Sequence, residues 1–313
     1  MDSLVIGAGG FVGKYLLREL QKTGGELGAT KLPGESVQIN GCEVFDLDLG
    51  DERGIRELLL AHRPARIYHL AAQSSVAVSW KNPQLTVDVN IKGVLHLLDA
   101  IRSIDEYYPR ILLVGSGEEY GYVRTSPVTE EEPLRPGNLY AVTKACQNMI
   151  GSIYARAYGM PIVMVRAFNH IGVGQSPQFV AADFALQIAE IEAGLRPPVM
   201  RVGNLAAKRD FSDVRDVVRA YVMLMERGRS GETYNVGSGR AVAIEELLDT
   251  LLSLSRESIA VEQDPNRMRP SDVPIIEADV QKLREDTGWE PQYSLEETLH
   301  TMLAHNRKNF GIV

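Results

Sequence analysis

Residues 5–16 read VIGAGGFVGKYL, which sets Gly7, Gly10 and Gly13 three residues apart between an apolar run, Leu4–Ile6, and an amphipathic one, Val12–Lys22. Glycine permits a tight turn and lets the backbone come close to a pyrophosphate. The helix that follows offers unpaired N–H groups and positive potential. A glycine triplet alone says little. At the junction of a strand and a helix it constrains the chain to a βαβ start, with Gly7, Gly10, Phe11, Val12 and Gly13 as candidate dinucleotide contacts.

The first half keeps that rhythm. Strands are predicted at Leu27–Thr30, Glu43–Leu47, Arg66–Leu70, Arg110–Val114 and Ile162–Ala167, with helices at Arg53–His62, Leu85–Ser103 and Leu139–Tyr158 between most of them. Such alternation builds a parallel, doubly wound α/β sheet, whose strands read as unbroken apolar runs because helices cover both faces. After about Phe168 the pattern changes to a Gly/Pro-rich loop, NHIGVGQSPQ, and helical segments at Phe179–Ala193, Val214–Glu226, Ile244–Leu252 and Leu295–Lys308. Short strands are predicted near Met200–Val202 and Thr233–Val236. The expected organisation is a Rossmann domain of residues 1–167 plus about 210–237, and a smaller C-terminal α/β substrate domain of residues 168–209 and 238–313.

Composition excludes some partners. The net charge of −8 argues against a nucleic-acid or membrane surface, since phosphate backbones need basic faces. A small anionic ligand needs only a few arginines and helix N-termini. No run approaches the roughly eighteen apolar residues of a membrane span. The opening MDSLVIGAGG has no basic n-region, so no signal peptide is expected. Two cysteines, Cys42 and Cys146, suggest a reducing compartment, and the expected location is the cytoplasm. No histidine or cysteine spacing suggests a metal site.

Three further features carry chemistry. The second strand ends in GATKLP, with no acid to take a ribose 2′-hydroxyl. Thr30 and Lys31 stand there instead, and Lys31 could pair with a 2′-phosphate, so NADP is favoured over NAD. Asp48, after the third strand, falls nearer an adenine. The fifth strand runs into GSGEEYG, which puts Ser116 beside two glutamates, Glu118 and Glu119, where a buried carboxylate is costly unless paired or used. Tyr140 and Lys144 are four residues apart and share one helix face; an ammonium beside a phenol favours the phenolate and is expected to lower the pKa of Tyr140.

With HLAAQSS (His69–Ser75), Asn90, RAFNHIGVGQ (Arg166–Gln175), VGNLAAKRDFSDVRD (Val202–Asp216) and RMRPSDVP (Arg267–Pro274), these motifs resemble the extended short-chain dehydrogenase/reductase family over nearly the whole chain. The branch resembled acts on nucleotide sugars, reducing the C4 keto group of a GDP-linked 4-keto-6-deoxy sugar, dehydrating GDP-mannose, or carrying out another nucleotide-sugar epimerisation or reduction. The resemblance implies that Tyr140 donates a proton to the sugar oxygen, that Ser116 hydrogen-bonds the same oxygen, and that Lys144 holds the nicotinamide ribose. It adds Leu49, Leu70, Ala71, Ala72, Ser74 and Asn90 to the cofactor contacts. Gly117, Asn169, Arg209, Arg269, Pro270, Ser271 and Asp272 become substrate contacts. Glu118 sits where the dehydratases carry an extra base. The loop GAGGFVG and the arginine-free IGVGQSPQ depart from the dehydratase pattern and point to a reductase.

Leu85–Ser103 and Leu139–Tyr158 hold more apolar residues than one buried face requires, among them Leu95, Leu97, Leu98, Met149, Ile150 and Ile153. A helix apolar around much of its circumference is fully buried or an interface. A homodimer through a four-helix bundle, the pairing the resemblance implies, is expected.

Overall fold

The computed structural model describes residues 1–36, 38, 40–267 and 273–312. The first half runs β1 (Ser3–Ile6), α1 (Phe11–Thr23), β2 (Leu27–Lys31), β3 (Glu43–Asp46), α2 (Glu52–His62), β4 (Arg66–His69), α3 (Val76–Lys81), α4 (Pro83–Val87), a π turn (Asp88–Lys92), α5 (Gly93–Arg102), β5 (Arg110–Val114), a 3₁₀ turn (Gly117–Tyr120), α6 (Leu139–Tyr158) and β6 (Ile162–Ala167). The second half runs β7 (Asn169–Ile171), α7 (Val180–Glu192), β8 (Val199–Val202), β9 (Lys208–Asp213), α8 (Val214–Arg227), β10 (Thr233–Val236) and β11 (Ala241–Ala243). It continues through α9 (Ile244–Ser253), β12 (Ala260–Gln263), a 3₁₀ turn (Pro265–Arg267), β13 (Ile275–Ile276), α10 (Gln281–Thr287) and α11 (Leu295–Asn309).

Seven parallel strands form the main sheet in the order β10-β6-β5-β4-β1-β2-β3, with β1 between β4 and β2. Side chains alternate across a strand, and β1 shows why its sequence is apolar throughout. Val5 packs into a core with Leu16 and Leu20 of α1 and Val217 of α8, while Leu4 and Ile6 pack on the other face with Leu59 of α2 and Leu97 and Leu98 of α5. Each of these fully buried aliphatic side chains contributes about 1.5–3 kcal/mol. A third core, with Phe184, Ile188, Leu247 and Leu303, belongs to the smaller lobe. There β11, β9 and β13 form a sheet to which β7 adds on β9. Strand β9 stays in that small sheet through Asp213, so the chain re-enters the large domain at α8, slightly later than the expected residue 210.

The helix read as one piece over 85–103 is α4, a π turn and α5. Among the described residues no helix is long and apolar enough to cross a membrane, and no cluster of three or more histidine, cysteine, aspartate or glutamate side chains is placed to hold a metal.

Candidate active site

The glycine turn is built as its spacing requires. Gly7 has φ +84, and a Cβ there would lie 2.7 Å from the Ala71 backbone. A Cβ on Gly13 would lie 2.5 Å from Ala8, so α1 packs close against the turn. Gly10 caps α1 with no side chain over its amides and no acid in its first turn, leaving a helix end suited to an anion. Phe11 and Val12 are half-buried in that turn, and the Phe11 ring stacks on His170 at 6.2 Å. Leu70 and Ala71 donate their amides to the Ile6 carbonyl, which lays Leu70–Ala72 along the turn; Ser74, two residues on, is exposed.

Several expected cofactor contacts have other partners. Thr30 is buried, and its hydroxyl accepts from the Gly7 amide at 3.1 Å, so it shapes the turn. Lys31 does not stand free for a 2′-phosphate: its Nζ pairs with Asp46 at 2.5 Å, because β2 and β3 place the two residues side by side. The Asp48 carboxylate accepts from the Gly50 amide in a tight turn ahead of α2, and Leu49 beside it is core. Asn90 is completely buried. Its amide group bonds the Gln73 backbone twice and the Thr143 hydroxyl once, so it clamps the loop after β4 to α6.

At the carboxyl end of β5 the catalytic candidates converge. Ser116 caps the 3₁₀ turn, its Oγ accepting from the Glu118 amide at 3.2 Å, and its hydroxyl lies close enough to the Tyr140 phenol to favour the ionised form. Asn138 caps α6 through the Ala141 amide and donates to Glu118 at 3.2 Å, which ties the glutamate to the start of the helix that carries Tyr140. The pKa expectation reverses here. Burial, with Glu118 and Glu119 nearby, pushes the Tyr140 phenol up, against the effect of the Ser116 hydroxyl. The Lys144 ammonium bonds other groups than the phenol: its Nζ donates to the Val114 carbonyl at 2.7 Å and to Gln147 at 3.1 Å, and burial lowers its pKa to about 8. His69, at the end of β4, is buried with neither ring nitrogen bonded among the described residues. Desolvation and the Lys144 charge lower its pKa to about 3, so it stays neutral.

Glu119 answers the question of two adjacent carboxylates. It is the structural one. Its side chain accepts from the Ser116 amide at 2.7 Å, from Asn148 at 2.8 Å and from Arg166 at 3.1 Å. Arg166 also donates to the Tyr120 hydroxyl and the Glu130 carbonyl, and Tyr120 donates onward to Asn235. A Cβ on Gly115 would lie 2.2 Å from the Glu119 carboxylate, which is why glycine precedes Ser116. The signal for this network was Arg166 itself, a cation inside the buried run IVMVRA that must have a partner.

From the smaller lobe, Asn169 is exposed at the start of β7 and Gly117 packs against the Phe168 ring. Arg209 is 7% exposed, and its Nη1 donates to the Lys208 and Val273 carbonyls. It braces the segment leading into β13 and does not present an open fork to a phosphate. Arg269, Pro270, Ser271 and Asp272 lie outside the described residues.

A glycine-turned parallel sheet whose fifth strand and following helix bring a serine, a tyrosine and a lysine to one edge defines a short-chain dehydrogenase/reductase of the extended, two-lobed class. Comparison with known proteins narrows this. Residues 4–302 match the family described as GDP-mannose 4,6 dehydratase. The chain is 33% identical to the GDP-6-deoxy-D-mannose reductase of Pseudomonas aeruginosa over 96% of this chain and 95% of that protein. It is 30% identical to the GDP-mannose 4,6-dehydratase of Yersinia enterocolitica over 82% and 77%. The solved structure of RMD from Pseudomonas aeruginosa complexed with NADPH superposes with a TM-score of 0.87 at 30% identity, covering 99% of this chain and all of that one. A Thermus thermophilus UDP-glucose 4-epimerase in complex with NAD gives 0.87 at 29% identity over 98% and 99%. The chain belongs to the GDP-mannose 4,6-dehydratase family of nucleotide-sugar enzymes.

Proposed function

We propose that this chain reduces the C4 keto group of a GDP-linked 4-keto-6-deoxyhexose, converting GDP-4-keto-6-deoxy-D-mannose to GDP-D-rhamnose with NADPH or NADH. The observation that carries the reading is the Ser116 hydroxyl brought beside the Tyr140 phenol at the carboxyl end of β5, with Lys144 one turn further along α6. A protonated phenol is an acid and suits the addition of a proton to an oxygen that is gaining charge; general acid catalysis of this kind supplies about 10²–10⁴-fold. Similarity to the Pseudomonas reductase along nearly the full length of both chains supports the same direction.

The residues fit a nicotinamide dinucleotide. Side chains larger than hydrogen at 7 and 13 would fill the turn, and the uncapped start of α1 suits a pyrophosphate. Gly7, Gly10, Phe11, Val12 and Gly13 would hold that pyrophosphate, Leu70–Ala72 would flank it, and Lys144 would hold the nicotinamide ribose. The dinucleotide, when bound, supplies the hydride. Tyr140 hands its proton to the sugar C4 oxygen, Ser116 holds that oxygen through its hydroxyl, and Asn169 faces the sugar diphosphate. The second reading, a 4,6-dehydratase, is favoured by Glu118, whose charge acts on Tyr140 and whose carboxylate is steadied by Asn138. A dehydratase would need Glu118 as a base in addition to Tyr140, and the loops GAGGFVG and IGVGQSPQ depart from the dehydratase pattern.

The chain is further proposed to pair as a homodimer. Val142, Met149 and Ile153 are exposed along one stripe of α6, with Trp80 and Leu85 beside them. Leu97 and Leu98 face the monomer core instead, so α5 contributes less to the interface than its composition suggests.

The test mixes protein, NADPH and the 4-keto sugar nucleotide and follows absorbance of the reduced nicotinamide. Consumption, lost in Tyr140→Phe while dinucleotide binding is kept, is the expected result. Release of water from GDP-mannose with no reduction of the keto sugar would replace the reductase reading with the dehydratase one.

A further inference from the structure

The turn that follows β2 folds an acid back onto the glycine loop. Glu35 closes a turn with Leu32, donating its amide to the Leu32 carbonyl at 3.1 Å and accepting the Leu32 amide on Oε2 at 3.2 Å. That turn aims the carboxylate at Gly9: both of its oxygens lie 3.1 Å from where a Cβ on Gly9 would stand. Among the described residues no cation pairs with Glu35. The nearby cation that could have drawn a 2′-phosphate, Lys31, is held by Asp46. So an acid is brought to the glycine turn from outside the strand end at which sequence reading looks for one.

In a glycine-turn βαβ unit, an acid about twenty residues beyond the glycines takes the adenosine ribose 2′-hydroxyl, and a cation there takes a 2′-phosphate. Resting on the dinucleotide-dependent reading above, we infer that Glu35 sets the discrimination between the two dinucleotides, accepting the ribose 2′-hydroxyl of NADH and opposing the 2′-phosphate of NADPH. Two features of the turn serve this role. The Leu32 amide holds one carboxylate oxygen and leaves the other to accept, and Gly9 has no side chain to separate the carboxylate from the loop backbone. The Lys31–Asp46 pair works in the same direction, because it neutralises the cation that would otherwise offset Glu35.

The experiment measures binding, not turnover. Dissociation constants for NADPH and NADH are taken by calorimetry on the wild-type protein, on Glu35→Gln and on Asp46→Asn, at low and high salt. Glu35 is exposed on a loop, so the glutamine variant is expected to fold, and a matching melting curve checks this. Removing one charge opposite a phosphate, and one charged acceptor from a hydroxyl, predicts NADPH binding about 10-fold tighter and NADH binding about 5-fold weaker in Glu35→Gln. Asp46→Asn, by releasing Lys31, is expected to tighten NADPH by about 3-fold and leave NADH unchanged. In the wild type, added salt should narrow the gap between the two dinucleotides, since screening weakens repulsion at an exposed site. An unchanged NADPH-to-NADH ratio in Glu35→Gln overturns the inference while leaving the dinucleotide site intact. Failure of both dinucleotides to bind any of the proteins overturns the dinucleotide reading itself, and this inference with it.

Discussion

Replacing Glu119 by glutamine would isolate the electrostatic part of the network beneath the candidate active site. The Glu119 side chain is fully buried and the Arg166 side chain is 10% exposed, so neither charge reaches bulk water. Glutamine keeps the shape and can still accept from the Ser116 amide. It removes the counter-charge from a guanidinium whose other partners, the Tyr120 hydroxyl and the Glu130 carbonyl, are neutral. Breaking a buried pair by removing one partner costs about 3–5 kcal/mol, most of it the penalty of the charge left behind. For a chain of this size that corresponds to a melting temperature lower by about 5–8 °C. The assay is a thermal melt followed by far-ultraviolet circular dichroism and by tryptophan fluorescence, with the double variant Glu119→Gln/Arg166→Met alongside. Because the second substitution removes the stranded charge, the double variant should be no less stable than the single. A loss below about 1 kcal/mol in Glu119→Gln, the range of exposed pairs, would refute the reasoning. So would a double variant whose losses simply add, since residues in one network should couple.

Four other outcomes follow from the same geometry. Turnover should fall as pH rises through about 8, because Lys144 loses its proton there while Tyr140 stays protonated; in Lys144→Arg that alkaline limb should move above pH 10, and a limb unchanged in the variant would assign it to another group. Gly7→Ala should cost roughly 1–3 kcal/mol and abolish dinucleotide binding, since it sets a Cβ against the Ala71 backbone at positive φ; near-normal affinity by calorimetry would contradict the turn's assigned role. Ile153→Glu should give a monomer in light scattering at micromolar concentration, with the melting behaviour of the monomer core retained, because the side chain is exposed on α6. Asn90→Ala should release the clamp between the loop after β4 and α6, raising the KM for dinucleotide more than it lowers kcat, since Asn90 acts through Gln73 and Thr143.

The large domain was legible because its signals are local and repeated. The glycine turn, the six strands of the first half and the helices α1, α2 and α6 each follow from apolar period, turn residues and helix caps such as Asn138. The spacing of Tyr140 and Lys144 likewise puts both on one face of α6 without reference to the rest of the fold. The small sheet was not legible, because β9 reads KRDFSD, a polar run whose buried acid Asp210 is satisfied by groups distant in sequence. The Asp210 carboxylate, for example, takes the amides of Ser238, Gly239 and Ala278.

What a side chain does in the site was decided by tertiary contacts of the same kind. Whether Lys144 bonds a phenol or a carbonyl, and whether Lys31 meets a phosphate or Asp46, depends on strands and helices brought together from elsewhere in the chain. Glu118 and Glu119 are identical residues side by side, and their division into a half-buried group bonded by Asn138 and a fully buried partner of Arg166 comes from the different groups the fold brings to each. Local order in this protein is written in neighbouring residues, whereas charge pairing, burial and hence protonation depend on groups far apart in sequence, which only the folded chain brings within hydrogen-bonding distance.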